Sequence, residues 1–253
     1  VSKINQALIE WKTGDVHGLS WLRERGLSKR HSYFYVGKSI LQKVGPGVFC
    51  KAGDIVVWEA IVRYIQEELK LPVHVAGKTA LGLQGSSHYL QLSEIPTIEL
   101  VSFEKKRLPE WIEELKFPAK FNFKKSGLIK KESFLNHFEK SNFIIKISSR
   151  ELAVLEMLEE LDLSSSLETA ENYMNALNTL RPAMVEEVLS KCNSVKVKRI
   201  FLYLSEKLEL PFLNNLDLKK VSLGKGKRVV VKGGQLDKKY QITVDRIAEE
   251  NPF

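Results

Sequence analysis

The 253-residue sequence predicts an α+β protein, with a helical N-terminal domain closed by a β-hairpin and a mixed α/β C-terminal domain after it. Three observations carry that expectation. Residues 2–37 alternate helix-capping residues, apolar residues at helical spacing and a glycine stop, which reads as three short helices. Gly45-Pro46-Gly47 then divides two short β-prone runs. Beyond residue 90, strand-like runs interleave with amphipathic helices, without an internal repeat.

Each element has a local cause. Ser2 is a good N-cap, and Ile4, Leu8 and Trp11 share one helical face. Thr13-Gly14-Asp15 breaks that pattern and caps a second helix, with Val16, Leu19 and Leu22 turned inward and Gly26 as its stop. Ser28 caps a third helix from Lys29 to about Gly37. Ile40-Leu41-Gln42-Lys43-Val44 and Val48-Phe49-Cys50-Lys51 flank the glycine-proline-glycine turn. Two helices joined by a short glycine-containing turn, followed by a hairpin, make a winged helix-turn-helix.

A further helix is expected over Val57–Leu69, with Trp58, Ile61, Val62, Ile65 and Leu69 apolar, and Pro72 after it. Gly77 to Leu83 reads as a short helix or turn ahead of Gly85-Ser86-Ser87-His88-Tyr89. The first domain is therefore expected to span residues 1–90, with its DNA-binding core in 1–52, and the second residues 91–253. In the second, strands are expected at Thr97–Phe103, Ala119–Phe123, Phe143–Ile147, 228–232 and 239–244. Helices are expected at Pro109–Lys116, from Ser148 or Ser149 through Leu161, and near 167–179, 182–192 and 196–208.

Charge narrows the partners. Lys and Arg total 39 against 31 Asp and Glu, a formal net charge of +8, and residues 1–51 hold nine basic against three acidic residues. Cys50 and Cys192 are far apart and outside any CxxC pattern, which reads as two free thiols in a reducing compartment. No apolar run approaches the ~18 residues of a membrane span and no signal peptide is evident, so a cytoplasmic protein without membrane contact is expected.

The third helix and its hairpin carry the strongest chemistry. A helix fits the major groove of B-DNA, and side chains near its N-terminus reach base edges. Lys29, Arg30, Ser32, Tyr33 and Tyr35 are the candidates to read or approach the groove, with Lys38, Lys43 and Lys51 on phosphates. The competing reading is a solvated basic helix used for protein contact. Gly77-Lys78-Thr79 and Gly37-Lys38-Ser39 both mimic the end of a phosphate-binding P-loop. The required upstream glycine is replaced by Pro72 and Ser32. His17, His31, His74, His88 and His137 lack metal-ligand spacing, although His74 and His88 flank one short element. Glu156, Glu159, Glu160, Glu186 and Glu187 follow helical periodicity and read as solvated faces. The expectation is a non-enzyme without cofactor or metal.

Two basic clusters remain: Lys191, Lys196, Lys198 and Arg199, then Lys219, Lys220, Lys225, Lys227, Arg228 and Lys232. In the second, Gly224 and Gly226 precede the basic strand and Gly233-Gly234 follow it, so it looks like a hairpin edge and suits a second polyanion surface or the lysine protection of that edge, and the residues leave both readings open.

Several blocks together resemble a known family. They are Gly26-Leu27-Ser28 with Ile40 to Phe49; Val73-His74-Val75-Ala76-Gly77-Lys78-Thr79-Ala80-Leu81 with Gly85 and His88-Tyr89-Leu90; and Ile147-Ser148-Ser149-Arg150-Glu151-Leu152-Ala153. Cys192 to Arg199 and Leu223-Gly224-Lys225-Gly226-Lys227-Arg228 complete the set. Over nearly its whole length the chain resembles the AbiEi antitoxins, transcriptional regulators of type IV toxin–antitoxin and abortive-infection (antiviral defence) operons. Ala76-Gly77 stands where members often have Gly-Gly.

The resemblance implies an N-terminal domain that binds double-stranded DNA at inverted repeats in its own promoter and represses the operon. It implies a C-terminal domain that neutralises a nucleotidyltransferase-like toxin without forming a stable complex. Arg150, Lys191, Lys196, Lys198, Arg199, Lys225, Lys227 and Arg228, in or beside the C-terminal blocks, are the candidate antitoxicity surface. One rival expectation is a ligand-responsive winged-helix regulator without antitoxin activity. Another is a C-terminal domain that enzymatically reverses the toxin's modification.

Overall fold

The computed structural model describes residues 2–85, 95–104, 106–115, 117–129, 132–161 and 167–245. His88, Tyr89 and Leu90, and the expected boundary at residue 90, lie outside the described residues. In chain order the elements begin α1 (Lys3–Glu10), β1 (His17–Gly18), α2 (Leu19–Glu24), α3 (Lys29–Gly37), β2 (Leu41–Gly45) and β3 (Val48–Lys51). Next come α4 (Trp58–Arg63), running on into a π-helical turn (Tyr64–Glu68), then β4 (Val73–Val75), α5 (Gly77–Leu83), β5 (Thr97–Ser102), α6 (Glu110–Glu113) and β6 (Lys120–Lys125). The remainder is β7 (Leu135–Lys140), β8 (Phe143–Ser148), α7 (Arg150–Glu159), α8 (Glu168–Asn175), α9 (Pro182–Lys191), α10 (Val195–Lys207), β9 (Gln235–Asp237) and β10 (Ile242–Val244). The fold is mixed α and β, and its N-terminal part is a winged helix.

Two compact units share these residues. The first takes Val1–Val75, Ser93–Lys125 and Leu135–Ile147; the second takes Ala76–Leu92, Ser126–Phe134 and Ser148–Phe253. In the first unit, Ile4, Ala7, Trp11, Leu22, Leu27, Leu41 and Phe49 form one buried cluster beneath α1, α2 and α3. The expected stops are in place: Gly26 has φ +74, and Leu27 behind it is buried. The second helix, however, starts at Leu19 rather than directly after Asp15. His17 and Gly18 instead pair antiparallel with Phe49 and Val48, so β1 completes a three-stranded sheet in the order β1-β3-β2. Two residues are too few to show an alternation, and tertiary pairing decides them.

The same unit holds a five-stranded mixed sheet, β6-β5-β4-β8-β7. β7 was not expected from the sequence. It is an edge strand with few buried side chains, so its pattern is faint. Its turn into β8 is made by Ser141 and Asn142, both at positive φ (52 and 65), which is the two-residue hairpin geometry that matches strand twist. Lysines on the opposite edge strand, β6, blunt its free hydrogen-bonding side.

In the second unit, Ser149 caps α7 and Ser194 caps α10, each hydroxyl accepting from the amide three residues on. α7 is buried almost throughout. The expected strand at 228–232 is absent as a strand: Arg228 makes one isolated parallel bridge to Ile242. β9 pairs with β10 instead, from Gln235 opposite Val244 to Asp237 opposite Ile242. Gly233 at φ +73 turns the chain between the two segments, and a Cβ on Gly234 would stand 2.1 Å from the Val244 carbonyl oxygen.

Candidate nucleic-acid interface

Helix α3 is started by a reciprocal cap. The Ser28 hydroxyl accepts from the His31 amide at 3.3 Å, and the Ser28 amide donates to the His31 ring Nδ1 at 3.3 Å. The first turn of α3 carries no acidic residue, so its positive end is not neutralised from within the helix.

Burial separates two faces of α3. Ser32 is fully buried and its hydroxyl donates to the Ser28 carbonyl at 3.1 Å. Ser32 therefore packs the helix and does not reach outward, which corrects its expected placement. Tyr35 and Val36 are half-buried against the core cluster, so the Tyr35 ring also belongs to the inner face. Lys29, Arg30, Tyr33, Phe34, Gly37 and Lys38 are exposed. The Tyr33 ring stands edge-on to Phe49, with centroids 5.6 Å apart, and the Lys38 ammonium lies 5.8 Å from the Phe34 ring centroid.

On the hairpin, Gln42 and Lys43 are exposed on β2. The register between β2 and β3 shifts between Lys43 and Gly45, a bulge at Val44 that twists the wing. Gly45 is required there, since a Cβ would stand 2.4 Å from the Trp111 ring. Lys51 is spoken for: its ammonium donates to the Trp11 carbonyl at 2.9 Å, tying β3 to the end of α1. The outward set is thus Lys29, Arg30, Tyr33 and Lys38 on α3 with Lys43 on the wing, while Ser32, Tyr35 and Lys51 support them. Phe34 was missed by sequence reasoning.

A buried charge cluster holds the front of α2. Arg63 donates from Nε to Asp15 Oδ1 at 2.9 Å and from Nη2 to Glu68 Oε1 at 3.1 Å, and also to the Val16 carbonyl. Glu68 accepts from the amide of Gly18, the N-cap of α2, at 2.8 Å, and its other oxygen lies 2.6 Å from His17 Nδ1. The His17 ring stacks on Trp21 at 3.7 Å, and Arg25 covers Trp21 with its guanidinium carbon 3.6 Å from the ring centroid. Burial pushes the Asp15 carboxyl up, more than Arg63 and His17 pull it down. Burial also acts on Glu68, but the hydrogen bonds from His17 and Gly18, with the charges of His17 and Arg63, together outweigh it and hold that carboxyl below its ordinary value. Beside this cluster opens a cleft of about 540 Å³ lined by residues including Glu10, Trp21, Arg25 and Glu67. The π-helical turn places Glu68, and the sequence carries no signal for it.

The phosphate-like motifs resolve differently. Gly77-Lys78-Thr79 does open a helix, but the Gly77 amide donates to the buried Glu156 carboxylate at 3.1 Å, where Ser148 also donates at 2.7 Å. A carboxylate already occupies the place an anion would take. Glu156 is therefore buried, not on a solvated face as expected. Gly37-Lys38-Ser39 is the end of α3. Among the described residues, no group of three or more His, Cys, Asp or Glu is placed to hold a metal ion.

The C-terminal basic residues divide as well. Arg199 is buried and donates to four carbonyls: Leu223 at 2.8 Å, Gly226 at 2.6 Å, Gly224 at 3.1 Å and Gln241 at 3.3 Å. Lys198 is buried, Lys196 donates to the Leu161 carbonyl at 2.9 Å, and Arg150 donates to Thr179 Oγ1 at 2.8 Å and to the Gln84 carbonyl. Arg199, Lys196 and Arg150 tie separate segments of this unit together, and Lys198 is enclosed within it. Lys191, Lys225 and Lys227 are exposed and Arg228 half-exposed.

Comparison with known proteins agrees with this geometry. Residues 1–92 match the family described as "Transcriptional regulator, AbiEi antitoxin N-terminal domain", and residues 96–245 match "Transcriptional regulator, AbiEi antitoxin, Type IV TA system". No curated protein matches the chain. Among solved structures, the RV2827C protein from Mycobacterium tuberculosis shares the fold with a TM-score of 0.61 at 13% identity, over 92% of this chain and 87% of that one. The two family matches together span the helices, the wing and the basic C-terminal blocks, and the chain belongs to the AbiEi family of antitoxins and transcriptional regulators of type IV toxin–antitoxin systems.

Proposed function

We propose that this chain represses its own operon by binding inverted repeats in the promoter through α3 and the wing, and that it neutralises a nucleotidyltransferase-like toxin without holding it in a stable complex. The observation that carries the first part is the outward face of α3, where Lys29, Arg30, Tyr33 and Lys38 are exposed beside Lys43 of the wing. A helix of that width enters the major groove, its cations neutralise phosphates, and an arginine near its N-terminus pairs with guanine. DNA reading is assigned to residues 1–90 and antitoxicity to residues 91–253, where Lys191, Lys225, Lys227 and Arg228 are the accessible basic candidates.

The test uses the full chain. Cutting near residue 90 would part β4 from β5, neighbours in one sheet. Full-length protein is titrated onto the DNA upstream of its own gene and onto unrelated DNA at several salt concentrations. The proposal predicts tighter binding to the upstream fragment and affinity that falls steeply with salt. Equal affinity for both fragments overturns the operator reading. For antitoxicity, the full chain and its Lys225→Ala/Lys227→Ala/Arg228→Ala variant are co-expressed with the neighbouring gene product. Rescue by the first and failure of the second is expected, with both bound equally to DNA.

A second reading is a regulator that senses a small ligand. The cleft beside His17, Trp21 and Arg63 favours it, because these residues fix the start of α2. Growth rescue from a toxin discriminates the two, since a plain sensor gives none.

A further inference from the structure

Phe34 is 56% exposed, at a point of α3 where the helix turns away from its own core. Leaving so large an apolar side chain in water forfeits the gain of burying it. The neighbouring positions show what it faces. At about 100° per residue, Tyr33, Gly37, Arg30 and Phe34 fall in that order around about 100° of the helix. Ser32, Tyr35 and Val36 lie on the opposite side, buried or half-buried. Gly37 has nothing within 4 Å of where a Cβ would be, so the centre of the outward face is open to close approach. Arg30 and Lys38, one turn before and one turn after Phe34, are exposed cations.

This face is apolar at one point and positive on both sides of it. The phenyl ring stands edge-on to Tyr35 at 5.4 Å and lies 5.8 Å from the Lys38 ammonium, and more than half of its residue remains open. A DNA major groove offers both partners: phosphates and guanine edges for the cations, and the thymine C5-methyl for an apolar side chain. We infer that Phe34 is a specificity-determining residue, whose ring packs on the C5-methyl of one thymine in the operator while Arg30 or Tyr33 reads a neighbouring base. The inference rests on the proposed DNA-binding function and adds a base preference to it. Tyr33 and Phe34 each have an edge-on ring neighbour, Phe49 and Tyr35, but Phe34 is the more exposed, at 56% against 40%, and its ring carries no hydroxyl, which suits it better to the methyl contact.

The experiment first obtains a bound sequence by selection from random duplexes with the full-length protein. Each thymine in that site is then replaced by deoxyuridine, which deletes the methyl and leaves base pairing unchanged. For the wild type, one position is expected to cost about fourfold in affinity, the equivalent of one methyl no longer buried. Phe34→Ala is expected to bind the thymine site more weakly and to show no further loss at that deoxyuridine, while Phe34→Leu keeps part of the methyl dependence. Because Phe34 is exposed, the thermal midpoints of both variants should stay at the wild-type value. If the wild type binds a selected sequence but no deoxyuridine weakens it, or if Phe34→Ala loses as much as the wild type at every position, the inference is overturned and the DNA-binding function stands. If the wild type selects no sequence, both fall together.

Discussion

Arg63 on α4 lies against Asp15 ahead of β1, its Nε 2.9 Å from Oδ1, with both residues buried. The pair joins the loop before α2 to the helix that follows the wing, and Glu68 completes it through the Gly18 amide.

A buried ion pair broken on one side leaves an uncompensated charge. Arg63→Ala should therefore destabilise the protein by about 3–5 kcal/mol. Replacing both partners, as Asp15→Leu/Arg63→Met, should recover part of that loss, because the Asp15 charge then needs no partner and Glu68 keeps His17 and the Gly18 amide. Urea unfolding of the wild type and the variants measures it. A loss of under about 1 kcal/mol for Arg63→Ala would mean that the pair is no more than a surface bridge.

The two classes of basic residue should separate in DNA binding. Arg30→Ala is expected to cost about 1–3 kcal/mol and to relax preference at one base position. Lys43→Ala should weaken all sequences alike and lower the slope of log affinity against log salt by about one. Lys51→Ala should instead lower the thermal midpoint, since its ammonium holds the Trp11 carbonyl. A Lys51 variant that altered the salt slope and left stability intact would reverse that assignment.

Acid should loosen the second unit at Glu151. Burial pushes this carboxyl up, but two hydrogen bonds from the Arg181 guanidinium, each 3.0 Å long, together with backbone amides and the guanidinium charge, outweigh it and hold its pKa below the ordinary 4.5. With the folded value depressed, the unfolded chain takes up the proton first. The stabilisation is therefore in place above about pH 4.5 and is lost as the pH falls through the folded value. Glu151→Gln should be less stable than the wild type at about pH 7, with the gap narrowing as the pH falls below 4.5 and through the folded value. A gap that stayed constant across that range would remove Glu151 from the acid response.

Arg199 should fix the loop that carries the exposed lysines. Arg199→Ala takes the donor from the Leu223, Gly224 and Gly226 carbonyls, while Gln241 keeps the Arg228 amide, and is expected to cost about 3 kcal/mol or more, each such bond to a charged donor contributing about 1.5–3 kcal/mol. Trypsin should then cut sooner after Lys225 and Lys227. Unchanged proteolysis at these sites would show that the loop is held by other contacts.

How far the sequence carried can be read from particular residues. Ser28 and Gly26 bracket α3 as their chemistry requires, one by accepting an amide and the other by adopting a positive φ, and both acts are local. Which face of α3 turns outward is another matter. Tyr33, Phe34, Tyr35 and Val36 are consecutive and all apolar or aromatic, so the helix has no single apolar stripe to orient it. Packing against α1 and α2 chose Tyr35 and Val36 for the inside and left Phe34 out. The C-terminal basic residues show the same limit, because Arg199 and Lys225 look alike in sequence and differ in having, or lacking, carbonyls folded around them.

The sequence by itself determined the helices, the winged-helix order and the basic N-terminal segment, because caps, periodicity, turn residues and net charge act over a few neighbouring residues, and its motif blocks carried the resemblance to the family. The tertiary structure decided the strand β1, the outward place of Phe34, the inward turn of Ser32, the Arg63 cluster and the seat of Glu156 at the start of α5. Apart from the local bond of Ser32 to Ser28, these depend on partners brought together from distant parts of the chain, and burial and hydrogen-bond satisfaction across such distances leave no mark in local pattern.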